Sequence, residues 1–388
     1  MRVLLAFDKF KDALTAQAAG EIAATALRET HPDWPLVHAP LADGGEGFAR
    51  ILTEAAGGKI VEHFVAGPRG ATVRAGYGLV PIAAIPAAAR AQLTLRDDLP
   101  GDAVVAVIEM AAASGLALLS LTARDPWQTT TRGTGELMQA AAEAGAVAIV
   151  LGVGGSATHD LGLGALTALG FSFYDANGKV VESPVPARWS EIEQIIGTLP
   201  RDFPPVRIAC DVTNPLLGLR GAAAVYGPQK GLEPADHPRL EHQSERLARL
   251  LCMHAERPMD LMHAPGSGAA GGIAFGLMAA VGAKLLPGFD LVSAWLDLET
   301  KVAAADLVIT GEGRFDASSL EGKGPGAVAA RALVLGKPVH VFAGQVTASP
   351  RAGLHLHAIT PPGMPLAQAL REAPANLVAK VHAVFSEQ

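Results

Sequence analysis

The sequence predicts an α/β protein in which one domain is built from both chain ends and a second, mixed α/β domain is inserted between them. Short β-type runs alternate with helix-like segments near the beginning of the chain, and the same alternation returns near its end. In the middle, hairpin-like patterns interrupt this alternation. We therefore place a discontinuous domain at 1–60 and 290–388 and the inserted domain at 61–289.

The two chain ends carry the strands of a predicted parallel sheet. "RVLLAF" is a short apolar run, the helical periodicity of "LTAQAAGEIAATALRET" follows it, and "LVHAPLADGG" is a strand that ends in glycines. Much later, "ADLVIT", "PVHVFAG" and "LHAIT" are further apolar runs separated by helix-like segments. Strands that alternate with helices form parallel sheets with both faces covered, so we expect βαβ units here.

The middle of the chain predicts a mixed sheet. "KIVEHFVAGPRGATVRAGYGLV" alternates apolar and polar residues around a "GPRG" turn, which is typical of an antiparallel hairpin. "AVVAVIEMA", "AVAIVLG", "FSFYDANGKVVE" and "VRIACD" predict further strands. We interpret the uncharged stretch 266–283 as a buried helix, rich in Gly and Ala, that packs closely against a sheet or ligand. A single membrane span is the alternative.

Composition argues against several classes of protein. The chain has 388 residues, a formal net charge of −7 and no basic run, which speaks against a nucleic-acid partner. Two cysteines, Cys210 and Cys252, cannot build a disulfide framework, and no paired Cys or His spacing indicates structural zinc. The N-terminal apolar run is too short for a signal peptide. We expect a cytoplasmic protein without a membrane span.

Charged residues follow the first two predicted strands. Asp8, Lys9 and Lys11 lie between the first strand and a helix, where ammonium groups and free backbone N–H groups suit anionic oxygens. In "LADGGEG", Asp43 and Glu46 flank paired glycines, and glycine lets a backbone approach a ligand closely. These carboxylates suit proton transfer from a hydroxyl or Mg²⁺ binding; a solvated turn and ordinary helix capping are the alternatives.

Two further places join polar residues to glycines near a predicted strand end, where open α/β sheets bind ligands. The middle domain offers the cluster Thr129–Thr131, Lys230 in "YGPQKG", and Asp211 with Asn214 after "VRIAC". The carboxylate and amide oxygens of Asp211 and Asn214 suit a hard cation. Helix caps and Asx turns use the same residue types, so a structural role is the alternative. The segment "ITGEGRFDASSLEGKGPG" concentrates charged side chains among glycines, and its candidate site residues are Glu312, Arg314, Asp316 and Lys323.

The segment "GVGGSATHDLGL" follows the run "AVAIVL" and matches the pattern G-x-G-x-x-A of dinucleotide-binding loops. Asp175 ends the next predicted strand, where such an enzyme places its ribose-binding acid. Ser156 and Thr158 are hydroxyls that this pattern does not require, and Asp175 runs into a hairpin turn. An NAD(P)-dependent oxidoreductase is therefore an alternative function. A Walker A loop is absent from the sequence.

With these segments assembled, the chain resembles the bacterial glycerate kinase family, of the glycerate 2-kinase type. The resemblance covers nearly the whole length and follows the family's order of blocks, namely "FDKFKDALTA", "PLADGGEG", "IEMAAASGLALL", "TTTRGTGEL", "LGVGGSATHDLGLGALTALG", "ACDVTNPLLG", "GPQKG", "GSGAAGG" and "ADLVITGEGRFD". It implies ATP- and Mg²⁺-dependent phosphorylation of D-glycerate at the 2-hydroxyl. It also implies a Rossmann-like discontinuous domain, an inserted domain and an active site in the cleft between them. The chain departs from the family pattern at Lys9, His159 and 317–319.

Under this resemblance each loop receives a role. Asp43 would lie near the reacting hydroxyl, and Lys11, Lys9 and Arg314 would neutralise anionic groups, since phosphoryl transfer depends mainly on positioning and charge. Mg²⁺ ligands would be carboxylates: Asp211, Glu312 and Asp316. Residues that bind substrate or phosphate would come from all the loops: Asp8, Gly44, Gly45, Glu46, Thr131, Gly154, Gly155, Ser156, Thr158, Asp160, Lys230 and Lys323.

Other interpretations stay open from the sequence. Besides the oxidoreductase, these are a two-domain protein that binds a small molecule without turnover, and the membrane protein with one span at 266–283. The partners expected for the kinase are ATP and D-glycerate, and association into a homodimer is left open.

Overall fold

The structure is a computed structural model that describes residues 1–96, 98–321 and 324–386. Over these residues the β-strands are β1 (Val3–Phe7), β2 (Leu36–His38), β3 (Lys59–Ala66), β4 (Thr72–Pro81), β5 (Val104–Glu109), β6 (Ala148–Gly152), β7 (Ser172–Tyr174), β8 (Gln194–Ile196), β9 (Val206–Ala209), β10 (Lys284–Leu286), β11 (Leu307–Phe315), β12 (Val339–Val346) and β13 (Leu354–Ala358). The α-helices are α1 (Ala16–Thr30), α2 (Phe48–Ala55), α3 (Ala87–Leu93), α4 (Ala111–Ser114), α5 (Arg132–Glu143), α6 (Leu163–Ala168), α7 (Ala222–Tyr226), α8 (His237–His254), α9 (Ala269–Val281), α10 (Gly288–Trp295), α11 (Leu298–Ala304), α12 (Gly324–Val334), α13 (Leu366–Arg371) and α14 (Ala373–Phe385).

Backbone contacts divide the chain into two compact units. Unit 1 comprises Met1–Asp43 and Val292–Gln388, and unit 2 comprises Gly44–Leu291. The units separate at different residues from the predicted domains, whose boundaries near 61 and 290 stay a prediction. The predicted α/β class is confirmed.

Unit 1 contains a five-stranded parallel sheet with the strand order β13-β12-β11-β1-β2. All five residues of β1 are buried, as expected for a strand covered on both faces. Val3, Leu5 and Phe7 pack with apolar residues of α1 and α14. The Thr15 hydroxyl begins α1 by accepting a hydrogen bond from Ala18 N–H (3.1 Å). The predicted parallel sheet from both chain ends is therefore confirmed.

Unit 2 contains a six-stranded mixed sheet with the order β10-β9-β6-β5-β4-β3. The hairpin β3–β4 is antiparallel and pairs Ala66 with Thr72 across the "GPRG" turn, as the sequence predicts. The strand β4 pairs antiparallel with β5, and β5, β6, β9 and β10 are parallel to one another. The strands β7 and β8 form a separate antiparallel pair.

The helix α9 occupies the Gly- and Ala-rich stretch after Gly266 and is almost wholly buried. A Cβ on Gly271 would lie 2.0 Å from Thr158 O, and one on Gly276 would lie 1.9 Å from Leu161 O. Only glycine therefore allows this helix to contact the main chain of the loop between β6 and α6. In the described part of the chain, no helix combines the length and apolar character that crossing a membrane requires.

Candidate functional site

The strand order of unit 1 reverses between β1 and β11, with β2 beyond β1 and with β12 and β13 beyond β11. Open parallel sheets bind ligands outside the carboxyl ends of their strands at such a reversal. Phe7 is paired with Gly311, so Asp8 and Glu312 follow one residue later at the same edge of the sheet. The structure thus brings together two of the sites that the sequence predicts.

Asp43 reaches the same edge from the segment after β2. Leu41 N–H donates to Phe7 O (2.7 Å), which extends the alignment of this segment with β1. Lys9 Nζ lies 3.7 Å from Asp43 Oδ1. Three carboxyl groups from separate segments, those of Asp8, Asp43 and Glu312, therefore line one site together with a lysine.

The negative charges of these carboxyl groups repel one another, and the burial of Asp8 and Glu312 reduces screening by water. Burial and the negative charges of Asp43 and Glu312 together raise the pKa of Asp8 to about 7, against the opposing effect of Lys9. Burial also raises the pKa of Glu312, with contributions from Asp316 and Asp43, while a hydrogen bond from Ser319 lowers it. Added positive charge would therefore be favourable here.

Two further predicted cations belong to this edge. Arg314 Nε lies 3.1 Å from Asp316 Oδ2, and both side chains are partly solvated. Lys11 is exposed and lines the same cavity as Lys9 and Arg314. Lys323, the remaining predicted cation, lies outside the described residues.

A cavity of about 800 Å³ opens at this edge and is lined entirely by unit 1. One part is polar and is formed by the ends of β1 and β11 with Asp43. The other part is largely apolar and is formed by the ends of β12 and β13, the segment 359–364 and the helices α13 and α14. The site thus joins charged groups to an apolar recess, the composition usual for small-molecule sites.

The described residues around these groups form no preformed metal centre. Among the described residues, no three His, Cys, Asp or Glu side chains are placed to hold a metal ion together. Glu312 Oε1 is buried and has no hydrogen-bond partner within the described chain. Asp211, the third predicted metal ligand, lies in unit 2, where its Oδ2 accepts a hydrogen bond from Phe289 N–H (3.0 Å).

In unit 2, the two glycine-rich loops pack directly on each other. A Cβ on Gly152 would lie 2.4 Å from Gly44 O, and one on Gly154 would lie 2.7 Å from Gly45 Cα. Gly154 N–H donates to Gly44 O (3.0 Å). Gly154 N–H is therefore engaged with the other loop in this structure, and the anion-binding role of the N–H groups of 154–156 stays a prediction. Glu46 is exposed beside Gly155, with Oε1 3.6 Å from the Cβ position of that glycine.

Asp160 is buried, and its carboxylate accepts hydrogen bonds from the surrounding segments. Oδ2 accepts hydrogen bonds from Thr131 N–H (2.7 Å), the Thr131 hydroxyl (2.9 Å) and Gly164 N–H (3.1 Å), and Oδ1 accepts from Gly162 N–H (3.1 Å). Burial raises the pKa of Asp160, and these hydrogen bonds oppose the rise. Asp160 and Thr131 thus join the beginnings of α5 and α6, and a binding role for either stays a prediction.

Lys230 lies beneath the same loop, fully buried, where the sequence interpretation made it a phosphate ligand. Its Nζ donates to Ser156 Oγ (2.8 Å) and to Thr158 O (2.6 Å). Burial lowers the pKa of Lys230 to about 7, although Asp160 opposes this. The Thr158 hydroxyl is buried as well and has no partner within the described chain. In this structure the Lys230 ammonium and the Thr158 hydroxyl both lie buried inside the loop, where a ligand does not reach them.

His159, which departs from the family pattern, is also buried. Its Nε2 lies 3.2 Å from Ser244 Oγ. Burial, together with the charges of Lys230 and His237, lowers the pKa of His159 to about 3. This imidazole is a neutral core residue between the loop and α8.

Comparison with known proteins identifies the family. The family model described as "Glycerate kinase family" matches residues 3–387. The chain belongs to the glycerate kinase family. It is 40% identical to the glycerate 2-kinase of Escherichia coli K12 over 352 residues, which cover 89% of this chain and 86% of that one. It is 38% identical to the glycerate kinase of Bacillus subtilis 168, over 96% of this chain and 94% of that one.

A solved structure agrees with this membership. A crystal structure from Salmonella typhimurium LT2, described as a candidate glycerate kinase 2, superposes with a TM-score of 0.74 at 37% sequence identity. The match covers 100% of this chain and 98% of that one. The sequence resemblance to glycerate kinases is therefore confirmed.

The dinucleotide alternative receives no support from these glycerate kinases or from the geometry. The strand β7, which precedes Asp175, pairs with β8 and lies outside the sheet that contains β6. Asp175 Oδ1 accepts hydrogen bonds from Asn177 N–H (2.9 Å) and Lys179 N–H (2.8 Å). The carboxylate therefore closes the hairpin turn, an ordinary Asx arrangement.

Sequence reasoning missed the apolar half of the cavity in unit 1. Gln345, Thr360, Met364 and Leu370 line it, yet none of them stands in a glycine-rich or charged motif. The available signal was indirect: the segment "PPGMPL" follows the predicted strand "LHAIT", and strand ends are where α/β proteins bind ligands. The sequence also pointed to Lys230, but its complete burial could not be read from "GPQKG", and a phosphate-binding role for it stays a prediction.

Proposed function

We propose that this protein transfers the γ-phosphoryl group of ATP to the 2-hydroxyl of D-glycerate, giving 2-phosphoglycerate and ADP. The observation that carries the proposal is the cluster of carboxylates and cations at the strand-order reversal of unit 1, in a chain whose relatives are named glycerate kinases. The relative from Escherichia coli is named a glycerate 2-kinase, which favours the 2-hydroxyl.

In the proposed reaction, the 2-hydroxyl oxygen forms the new bond to the γ-phosphorus while the bond to the β–γ bridging oxygen breaks. Asp43 accepts the hydroxyl proton, since it is the exposed carboxylate of the cluster and lies beside Lys9, with 3.7 Å between Lys9 Nζ and Asp43 Oδ1. Lys9, Lys11 and Arg314 offset the negative charge of phosphates and of the glycerate carboxylate. Lys323 remains a proposed cation in the same role.

The described residues fit a magnesium ion that arrives with the nucleotide. Glu312 Oε1 is a buried carboxylate oxygen without a hydrogen-bond partner in the described chain, and the surrounding carboxyls favour added positive charge. Glu312 would therefore contribute a ligand, with Asp316 beside it. When bound, Mg²⁺ supplies charge neutralisation of the phosphates. Asp211 stays a proposed ligand only.

The direct test is ³¹P NMR of the product formed from D-glycerate and Mg·ATP. A phosphomonoester signal coupled to the C2 proton supports the proposal, whereas coupling to the C3 protons would move the reaction to the 3-hydroxyl. Absence of ester formation alongside NADH oxidation with a keto acid would reinstate the oxidoreductase.

We further propose a cytoplasmic location and partners limited to small molecules. Two cysteines without a disulfide framework and the lack of a basic run support this. Fractionation of cells and light scattering of the purified protein test the location and the choice between monomer and homodimer.

A further inference from the structure

Ser156 and Lys230 form a pair in unit 2 to which the proposed reaction gives no role. Lys230 Nζ donates to Ser156 Oγ over 2.8 Å and to Thr158 O over 2.6 Å. Lys230 is 1% exposed and Ser156 is 7% exposed, so the hydroxyl is the outer member of the pair. Among the described residues the ammonium has no carboxylate at ion-pair distance, and a buried charge without a counterion is costly.

The Ser156 hydroxyl has a hydrogen-bond donor that the described chain does not use. A hydroxyl group donates one proton and accepts through its lone pairs. Here the oxygen accepts from Lys230, and the proton has no acceptor among the described residues. A hydroxyl whose oxygen accepts a charge-assisted hydrogen bond becomes a stronger donor. Ser156 therefore offers an anion a polarised O–H group, with a positive charge one hydrogen bond behind it.

The main chain on either side of Ser156 holds this hydroxyl in place. Leu116 N–H donates to Gly155 O (2.8 Å), and Ala157 N–H donates to Ser114 O (2.9 Å). Both neighbours of Ser156 are therefore paired with one segment, that of residues 114–116. A donor that is fixed before binding loses little conformational entropy when a ligand arrives, which favours affinity.

The group beside Ser156 favours a hydroxy acid over a polyphosphate. Glu46 is exposed, and its Oε1 lies 3.6 Å from the Cβ position of Gly155. A carboxylate repels phosphates but accepts hydrogen bonds from hydroxyl groups. A ligand that suits both side chains carries an anionic group for Ser156 and hydroxyl groups for Glu46. D-Glycerate carries one carboxylate and two hydroxyl groups.

We propose that Ser156 donates a hydrogen bond to the carboxylate of D-glycerate and that Lys230 positions and polarises the Ser156 hydroxyl for this contact. The inference rests on the proposed kinase function and adds a specificity-determining residue and a positioning residue to it. Lys230 does not touch the substrate and acts through Ser156. The bound carboxylate in turn stabilises the buried ammonium.

Calorimetry with D-glycerate in the presence of ADP measures the contact. Ser156→Ala removes the donor, and Lys230→Met removes the ammonium while keeping similar bulk. We expect each variant to bind D-glycerate about tenfold more weakly or worse, with ADP affinity within about twofold of wild type. D-Lactate, which keeps the carboxylate and the 2-hydroxyl, should lose affinity by the same factor. Ser156→Ala retains the ammonium and tests the contact even if Lys230→Met does not fold.

The double variant separates positioning from a purely structural role. Because Lys230 acts through Ser156, the double variant should bind D-glycerate no more weakly than either single variant, whereas independent effects would multiply. Ser114→Ala is the matched control, since this buried serine hydroxyl pairs with Thr134 Oγ1 (2.8 Å) and not with a cation. It should keep D-glycerate affinity within about twofold of wild type.

The inference is overturned if the wild type binds no D-glycerate, if either single variant binds it normally, or if the two losses multiply in the double variant. Weaker binding of D-glycerate with unchanged binding of D-lactate would also overturn it, because the contact would then be with the 3-hydroxyl. A wild type that binds D-glycerate through Ser156 but forms no phosphoglycerate would contradict the proposed function and support this contact.

Discussion

Asp43 is the residue on which the proposed chemistry depends most. Asn keeps its shape but cannot accept the hydroxyl proton, so Asp43→Asn should lower kcat by about 10²–10⁴-fold with little change in the KM for ATP. Steady-state kinetics with both substrates measures this.

Asp12 supplies the matched control for Asp43. It is an exposed carboxylate that lines the same cavity, and its backbone has a φ of 61°, which asparagine tolerates well. Asp12→Asn should keep kcat within about twofold. A near wild-type kcat in Asp43→Asn would remove Asp43 from the mechanism.

Lys230 has a structural role that its sequence context conceals. Lys230→Met fills the same space but leaves Ser156 Oγ and Thr158 O without their donor, so the free energy of unfolding should fall by about 1–3 kcal/mol. Urea denaturation measures the change. The exposed Lys179→Met is the control and should stay within about 0.5 kcal/mol of wild type. If Lys230→Met is as stable as wild type but binds phosphate more weakly, the original phosphate-ligand interpretation regains support.

At the scale of elements, sequence patterns predicted most strands and the hairpin but misjudged what the glycines do. "DGG" and "GVGG" suggest loops that approach a ligand, because glycine allows close approach by any group. In the structure, the closest groups are the glycines of the other loop and, for α9, the main chain at 158 and 161. Which partner a glycine approaches depends on residues distant in sequence, so local pattern cannot decide it.

The contact of α9 with the loop before α6 gives a testable consequence. Gly276→Ala would place its Cβ 1.9 Å from Leu161 O, and relief of this clash must move backbone. We expect a loss of about 2–4 kcal/mol in the free energy of unfolding. Gly20→Ala in α1 is the matched control, since its Cβ would meet only His38 Nδ1 at 3.5 Å and alanine favours helix by about 1 kcal/mol. Equal effects of the two substitutions would contradict this packing.

At the scale of the whole molecule, a pair of neighbouring histidines makes the free energy of unfolding depend on pH. His357 Nε2 lies 3.1 Å from His340 Nδ1; the His340 ring also contacts those of His355 and Phe385, and the His357 ring stacks on Phe342. Burial lowers the pKa of His340 and of His357 to about 4 each, compared with 6.5 for an unperturbed histidine. The unfolded chain therefore binds more protons below pH 6.5, and stability must fall as pH drops from 6.5 toward 4.

Thermal unfolding at pH 7 and pH 5 measures this effect. His340→Phe keeps an aromatic ring but removes one titrating group, so the variant should lose less stability on acidification, by about 1–2 kcal/mol. His242→Gln, at an exposed position, should behave as wild type. An unchanged pH dependence in His340→Phe would contradict the assignment to this pair.

The sequence by itself determined the α/β class, the parallel sheet from both chain ends, the family and the charged residues near the strand ends. These follow from periodicity and from local motifs, which are properties of neighbouring residues. Only the tertiary structure decided that Asp8, Asp43 and Glu312 share one site, that Lys230 and Asp160 are buried, and that apolar residues of 359–373 complete a cavity. Strand order and burial arise from pairings across the chain, and these pairings change both the partners of a side chain and its pKa.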